Sequence, residues 1–393
     1  MQAERTWKIG EVKLIRHSYS MKSDSRGNLM IQSEFTRRDF LKAGIGVALS
    51  AASAPLVRGA PRWPFATEKF PVSIVKVKND RIGSAVEEAI DLLGGMQEVA
   101  RGKERILLKP NLVSESPDCT TKREVIKTLA ELMKSCGKDV CIGEGSAAAG
   151  GFNSKQGEVY RTKNTSILDG MQKYVFDQLG YTDLARLLDI PLINLHCGEM
   201  VDVSVPDAYA YRTISLHRSL SETDLLCSVP MMKTHVLATV TLGMKNLIGL
   251  YAGRIYGSVR AGVHDHAARA GSRGVAFEIV DMVRANKLGL VVVDGSTAME
   301  GNGPMGGGLV KMGVIVAGTN PLATDMVAAR LMGFRPEEIP TFAFAQKAGM
   351  EPSTLEEVEV RGESISEVER SFKRPELVSW ESINRFWGVK ELQ

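Results

Sequence analysis

Cysteine is scarce and unpatterned in this chain of 393 residues: Cys119, Cys136, Cys141, Cys197 and Cys227, with no C-x-x-C pair among them. That excludes a cysteine-ligated iron–sulfur cluster or structural zinc site, whose ligands come in such close pairs. Five is also an odd number, so any disulfide scheme leaves at least one thiol over. An excess of one charge is missing too, since 49 Lys+Arg against 46 Asp+Glu leave +3. Phosphate-backbone recognition usually needs a strongly basic face, so no nucleic-acid partner is expected. No apolar run reaches the roughly 20 residues of a comfortable membrane helix. Repeats and low-complexity tracts are absent as well. What remains is an ordinary globular composition, 44% hydrophobic and 24% charged. It is long enough for about two domains and a core that needs no disulfides.

The first sixty residues read as an address rather than a fold. Thr36-Arg37-Arg38-Asp39-Phe40-Leu41-Lys42 precedes the weakly apolar, small-residue run Ala43–Ala54, the layout of a twin-arginine (Tat) export signal. Residues 30–60 are therefore expected to engage the twin-arginine machinery and direct a folded protein to the periplasm or another extracytoplasmic space. Pro55 and Pro61 follow the obvious alanine cleavage sites, so an uncleaved anchor stays open. Residues 1–29 are polar and patternless, and Met30 is a candidate start.

From Phe70 the pattern changes to alternating short β-rich runs and longer amphipathic stretches. Strands are expected at Val72–Val77, Arg105–Leu108, Asp139–Ile142, Pro191–Leu195, Thr223–Ser228, Leu288–Val293 and Lys311–Ala317. Helices are expected over Ser84–Glu98, Lys122–Ser135, Ile167–Leu179, Thr182–Leu188, Leu237–Leu250, Gly274–Ala285 and Pro321–Met332. This rhythm predicts an α/β fold: a parallel sheet in Rossmann-like layers, interrupted by an antiparallel insertion over Val201–Val205 and Tyr211–Leu216. Gly253–Gly274 reads as a Gly- and Arg-rich loop. The α/β domain is expected over 70–350, in one lobe or two, with 351–393 as a C-terminal extension.

Nearly every buried apolar run ends by delivering polar residues. Leu107-Leu108 leads to Lys109-Pro110-Asn111, Val140–Ile142 to Gly143-Glu144-Gly145-Ser146, Leu226–Val229 to Lys233-Thr234-His235, and Val291–Val293 to Asp294-Gly295 and Glu300-Gly301-Asn302-Gly303-Pro304. In open parallel sheets the carboxyl ends of the strands share one edge, where ligands bind. Lys109-Pro110-Asn111, Lys233-Thr234-His235, Lys245-Asn246-Leu247, Asp294-Gly295 and Met299–Pro304, in that order, resemble the domain of unknown function 362 family, over roughly Val72–Phe344. The resemblance implies an α/β fold and a shared site without supplying a reaction. Some members append a cysteine-rich cluster module, which this chain lacks.

The residue types admit several chemistries. Lys109, Lys233 and Lys245 suit binding of a carboxylate or phosphate, or one of them, desolvated, could act as base or Schiff-base former. The alternative for any one of them is a solvated or ion-paired lysine. Lys109, Lys233 and His235 are the catalytic candidates, and Asn111, Glu144, Ser146, Lys245, Asn246, Gly301 and Gly303 the candidates for substrate binding. His264-Asp265-His266 places two imidazoles at i and i+2, which in an extended loop share a face. With Asp294 or Glu300 they form a candidate site for a divalent metal. Asp325, one turn into a helix, is a dipole partner or a site residue. The Gly301–Gly308 stretch fits no Walker A pattern and opens no helix, so nucleotide binding is unsupported. These readings lead to an exported enzyme working by acid–base or metal-assisted chemistry on a small anion. A non-catalytic metal- or anion-binding protein and an accessory redox or maturation factor are the alternatives, and a homo-oligomer remains open.

Overall fold

The computed structural model describes residues 69–155 and 158–386, together with a short ladder pairing Lys22–Ser23 with Leu29–Met30. The expected twin-arginine segment lies outside the described residues. The chain divides into two compact units, Met1–Phe65 and Ala66–Gln393, and the second carries the α/β fold.

Its sheet is built from β1 (Phe70–Lys76), β2 (Arg105–Pro110), β3 (Asp139–Glu144), β4 (Leu192–Asn194), β5 (Leu225–Val229), β6 (Leu288–Glu300), β7 (Val314–Gly318) and β8 (Val358–Gly362). The order across the sheet is β8-β1-β7-β6-β5-β2-β3-β4. Neighbours are parallel throughout, except that β7 runs antiparallel to both β6 and β1. The expected antiparallel insertion is present as Met200–Ser204 paired with Thr213–His217. Part of the segment after residue 350 joins the sheet as its edge strand β8.

Continuous apolar runs such as Ile106-Leu107-Leu108 in β2 arise because both faces of the sheet are covered. Successive side chains alternate between two cores. Ile106, Leu108, Cys227, Leu290 and Val292 pack with Val86, Ile126, Leu129 and Val175 on one face. Leu107, Leu226, Val291 and Val293 pack with Leu247, Ile279, Met282 and Val327 on the other. The first layer is formed by α1 (Ile82–Asp91), α2 (Arg123–Ser135), α3 (Thr165–Gln178) and α4 (Tyr181–Leu188). The second includes α5 (Gly243–Asn246), α6 (Ala261–Ala270), α7 (Ala276–Arg284) and α8 (Pro321–Leu331). Burying each such branched side chain stabilises the fold by about 2 kcal/mol relative to leaving it in water. Helix starts follow local chemistry: the Asn164 side chain accepts from the backbone N–H of Ser166 and Ile167 to begin α3, and Asn320 accepts from Ala323 N before Pro321 in α8.

Two expectations fail in ways that matter for the site. The helix expected over Leu237–Leu250 begins only at Gly243. Ahead of it, Thr239–Thr241 forms an antiparallel hairpin with the Met231–His235 strand, in keeping with its β-branched Thr-Val-Thr composition. The loop expected over Gly253–Gly274 is instead largely helical, because Ala261–Ala270 is rich in good helix formers. Val259 and Arg260 just before α6 take left-handed conformations, φ 55° and 57°. Such backbone is disfavoured for side chains other than glycine, most of all for β-branched valine.

Candidate functional site

At the carboxyl ends of β2 and β3 the chain leaves a cavity of about 780 Å³, counted to its open mouth. It is bounded by these strand ends, the hairpin, α5, α6 and a C-terminal helix, α9 (Trp380–Phe386). Lys109, on the last turn of pleat in β2, and Glu144, the last residue of β3, meet beneath it. The Lys109 Nζ lies 2.9 Å from both Glu144 oxygens and also donates to Asn246 Oδ1 and Pro110 O. Glu144 accepts in addition from the N–H of Leu112 and Gly145. Burial pushes the Lys109 amine below its ordinary value, against the pull of the Glu144 charge. Gly249 closes over this pair: a Cβ there would stand 2.7 Å from the Lys109 Nζ, so no larger residue fits.

Arg260 enters from the strained turn before α6. Its guanidinium donates to the carbonyls of Ile248, Ser146, Gly145 and Gly249 and, among the described residues, meets no carboxylate in hydrogen-bonding contact. Burial lowers its pKa to about 10. Lys245, in the single turn of α5, lines the same cavity, and its amine makes no hydrogen bond or ion pair among the described residues. Burial, reinforced by the charges of Lys233, Arg260 and Lys109, pushes its amine down to about 7. Asp325 of α8 orients that turn by accepting from the N–H of Gly243 and Met244 at 2.7 and 2.8 Å. Its own burial raises its carboxyl to about 7. Among the lining residues Lys109, Lys245 and Arg260 face one carboxylate, Glu144.

Two imidazoles complete the polar wall. His235 Nδ1 accepts from Leu237 N at 3.0 Å, which leaves its proton on Nε2. Burial and the Lys245 charge hold it well below 6.5. His264 is pushed to about 3 by burial and by Lys245. Its ring stacks on Trp380 at 4.6 Å, while the Trp380 indole N–H donates to Asp265 Oδ1 at 2.6 Å. Trp380 and Ile383 form the apolar side of the cavity together with Val236, Leu237 and Ile248.

Of the residues singled out from the sequence, the structure brings Lys109, Asn111, Glu144, Lys245, Asn246, His235 and His264 to this cavity. It places the others elsewhere. Lys233 is fully buried, with its amine donating to the carbonyls of Cys119 and Pro304. Ser146 lies behind Gly145, its N–H on Gln172 and its carbonyl taken by His196 and Arg260. Gly301 N–H donates to Lys373 O, and Gly303 packs so closely on the Thr234 carbonyl that a Cβ would sit 2.1 Å from it. That loop is tied to the C-terminal segment.

The four expected metal ligands do not converge. Because His264 and His266 stand on a helix and not an extended loop, i and i+2 diverge. His266 bonds Glu278 at 3.0 Å and stacks on Tyr211. Asp294 accepts from the Lys122 N–H at the start of α2 and from Ser296, and Glu300 accepts from Lys373 N. Among the described residues no group of three or more His, Cys, Asp or Glu stands close enough to hold a metal ion. Arg260, Thr241 and Trp380 escaped sequence reasoning. Only Arg260 gave a signal, as an arginine in a stretch read as ligand-serving.

Comparison with known proteins adds a lineage. A thylakoid-associated protein of Synechocystis sp. is 28% identical over 291 residues, 72% of this chain and 81% of that protein. The lactate racemase apoprotein from Thermoanaerobacterium thermosaccharolyticum aligns in structure with a TM-score of 0.38 at 12% identity, covering 69% of this chain and 59% of that one. The family model "Domain of unknown function (DUF362)" matches residues 106–330, a span that contains β2 through most of α8 and every cavity residue named above except Trp380 and Ile383. The chain therefore belongs to the DUF362 family.

Proposed function

We propose that this cavity is the active site of an exported enzyme acting on a small carboxylate- or phosphate-bearing substrate, with Lys245 as its proton-transfer group. The observation that carries this is the unpartnered Lys245 amine in a cavity with more buried positive than negative charge. A cation confined to a cavity without a counter-ion is costly even where part of it stays exposed, as Lys245 does, and an anionic ligand supplies the missing partner. Lys109 cannot play that part, because its donors are already committed to Glu144, Asn246 and Pro110. The amine titrates near 7 in the empty cavity, and the anion that binds it raises that value, so it meets the ligand as the ammonium and can give its proton to charge developing there. The His235 Nε2–H is a neutral donor for charge developing on the substrate. The Thr36–Lys42 motif supports export, and the thylakoid association of the cyanobacterial relative is in keeping with that address.

The test compares Lys245→Met with Lys233→Met. Small carboxylates and phosphates should raise the melting temperature of the wild type and of Lys233→Met, and leave Lys245→Met unmoved. Equal stabilisation of all three proteins sinks the anion site. For an anion that binds, wild-type protein in D2O should exchange substrate C–H protons, followed by NMR, and Lys245→Met should not. Tight binding with no exchange or conversion favours a non-catalytic binding protein.

A further inference from the structure

The cavity wall also specifies a second group on the ligand. Asn246 is locked in orientation: its amide nitrogen donates to the carbonyls of Lys109 and Pro110 and to Ser228 Oγ, so its oxygen faces the Lys109 amine, 3.1 Å away. That oxygen also accepts from Asn111 Nδ2 at 3.1 Å. The Asn111 amide is therefore locked in turn, with Oδ1 turned away from Asn246. This oxygen is buried and has no partner, and Asn111 lines the cavity at 8% exposure. A second lining group, the hydroxyl of Thr241, is likewise buried and unpartnered. Buried polar atoms are almost always hydrogen-bonded, and an acceptor-only atom needs a donor.

We propose that the ligand is a hydroxyl-bearing anion, whose hydroxyl donates to Asn111 Oδ1 while its carboxylate or phosphate meets Lys245. This rests on the reading of the cavity as an anion site and deepens it. A hydroxyl fits better than an ammonium donor, because a further cation would add to the charges of Lys109, Lys245 and Arg260. Trp380 and Ile383 offer the remaining wall to an apolar portion of the ligand. Because this acceptor is already out of water and unpartnered, a ligand that brings a donor gains a hydrogen bond that a ligand without one cannot make.

The experiment is calorimetric titration of the whole protein with matched probes: 3-phenyllactate against 3-phenylpropanoate, glycerol 3-phosphate against propyl phosphate, and phenylalanine as the ammonium-bearing control. The hydroxyl-bearing member of at least one pair should bind about tenfold or more tightly than its partner, and phenylalanine more weakly than 3-phenyllactate. The pair that shows the difference identifies the anionic group. Asn111→Leu should bring the ratio within the pair to about one. Asn111→Ser, which keeps an acceptor and a small volume, should retain part of it if the leucine variant does not fold. Equal affinities within both pairs, with binding still lost in Lys245→Met, overturn the hydroxyl assignment and leave the anion site standing. Absence of binding by every probe, or binding indifferent to Lys245→Met, overturns both.

Discussion

Removing the Lys245 amine should make the unliganded protein more stable, by an amount that depends on pH in a defined direction. In the unfolded chain the amine titrates near its ordinary 10.5, and in the folded cavity at about 7. Below pH 7 both states are protonated and the folded state bears the whole cost of holding the ammonium. At about 1.4 kcal/mol per pH unit, the fall from 10.5 to about 7 sets a ceiling of about 5 kcal/mol. Lys245 keeps partial exposure to the cavity, so water screens it and about 5 kcal/mol is an upper bound. Above pH 7 the folded state sheds the proton. Because the unfolded state then binds more protons, stability rises with pH until the two states match near 10.5. Lys245→Met should thus exceed the wild type by up to about 5 kcal/mol at pH 6, and by less than half of that at pH 9. Urea unfolding of both proteins at the two pH values measures this, and any packing gain from the Met side chain cancels in the comparison between them. A difference between the proteins that is the same at pH 6 and pH 9 refutes the account of a desolvated, unpartnered amine.

Glu144→Gln should destabilise the fold by about 3–5 kcal/mol, because it leaves the Lys109 ammonium buried without its carboxylate; urea unfolding at neutral pH checks it, and a loss under 1 kcal/mol contradicts the pairing. Asp325→Ala strands the N–H groups of Gly243 and Met244, so it should cost about 3 kcal/mol. By loosening the turn that carries Lys245 and Asn246, it should also weaken binding of whichever anion stabilises the wild type. Unchanged affinity would show that the turn is held by other contacts.

The cavity residues differ in how far the letters alone could place them. Lys109 and Glu144 were legible because each follows a buried strand, and a parallel sheet puts the carboxyl ends of its strands on one edge. Lys245 was legible as a candidate but not as the distinctive amine. Its neighbour in sequence gives no sign that Lys109 would be saturated by Glu144 and Asn246, or that Lys233 would spend its donors on Cys119 and Pro304. Both facts depend on groups between 35 and 137 residues apart, and no local pattern records them. The metal reading failed at one step of local structure: His264 and His266 share a face only on an extended chain, and the alanine-rich segment around them forms a helix.

Alternation of apolar runs with amphipathic stretches sufficed to determine an α/β protein with a mostly parallel sheet and an antiparallel insertion, because strand and helix periods are written into consecutive residues. Cysteine spacing and charge balance are likewise read directly from the letters, and they set the expectation of no cysteine-ligated cluster and no nucleic-acid partner. Only the tertiary structure decided which charges are neutralised and which are left over. Neutralisation is a matter of distances between strand ends, a hairpin and a strained turn, and those distances exist only once the sheet has assembled.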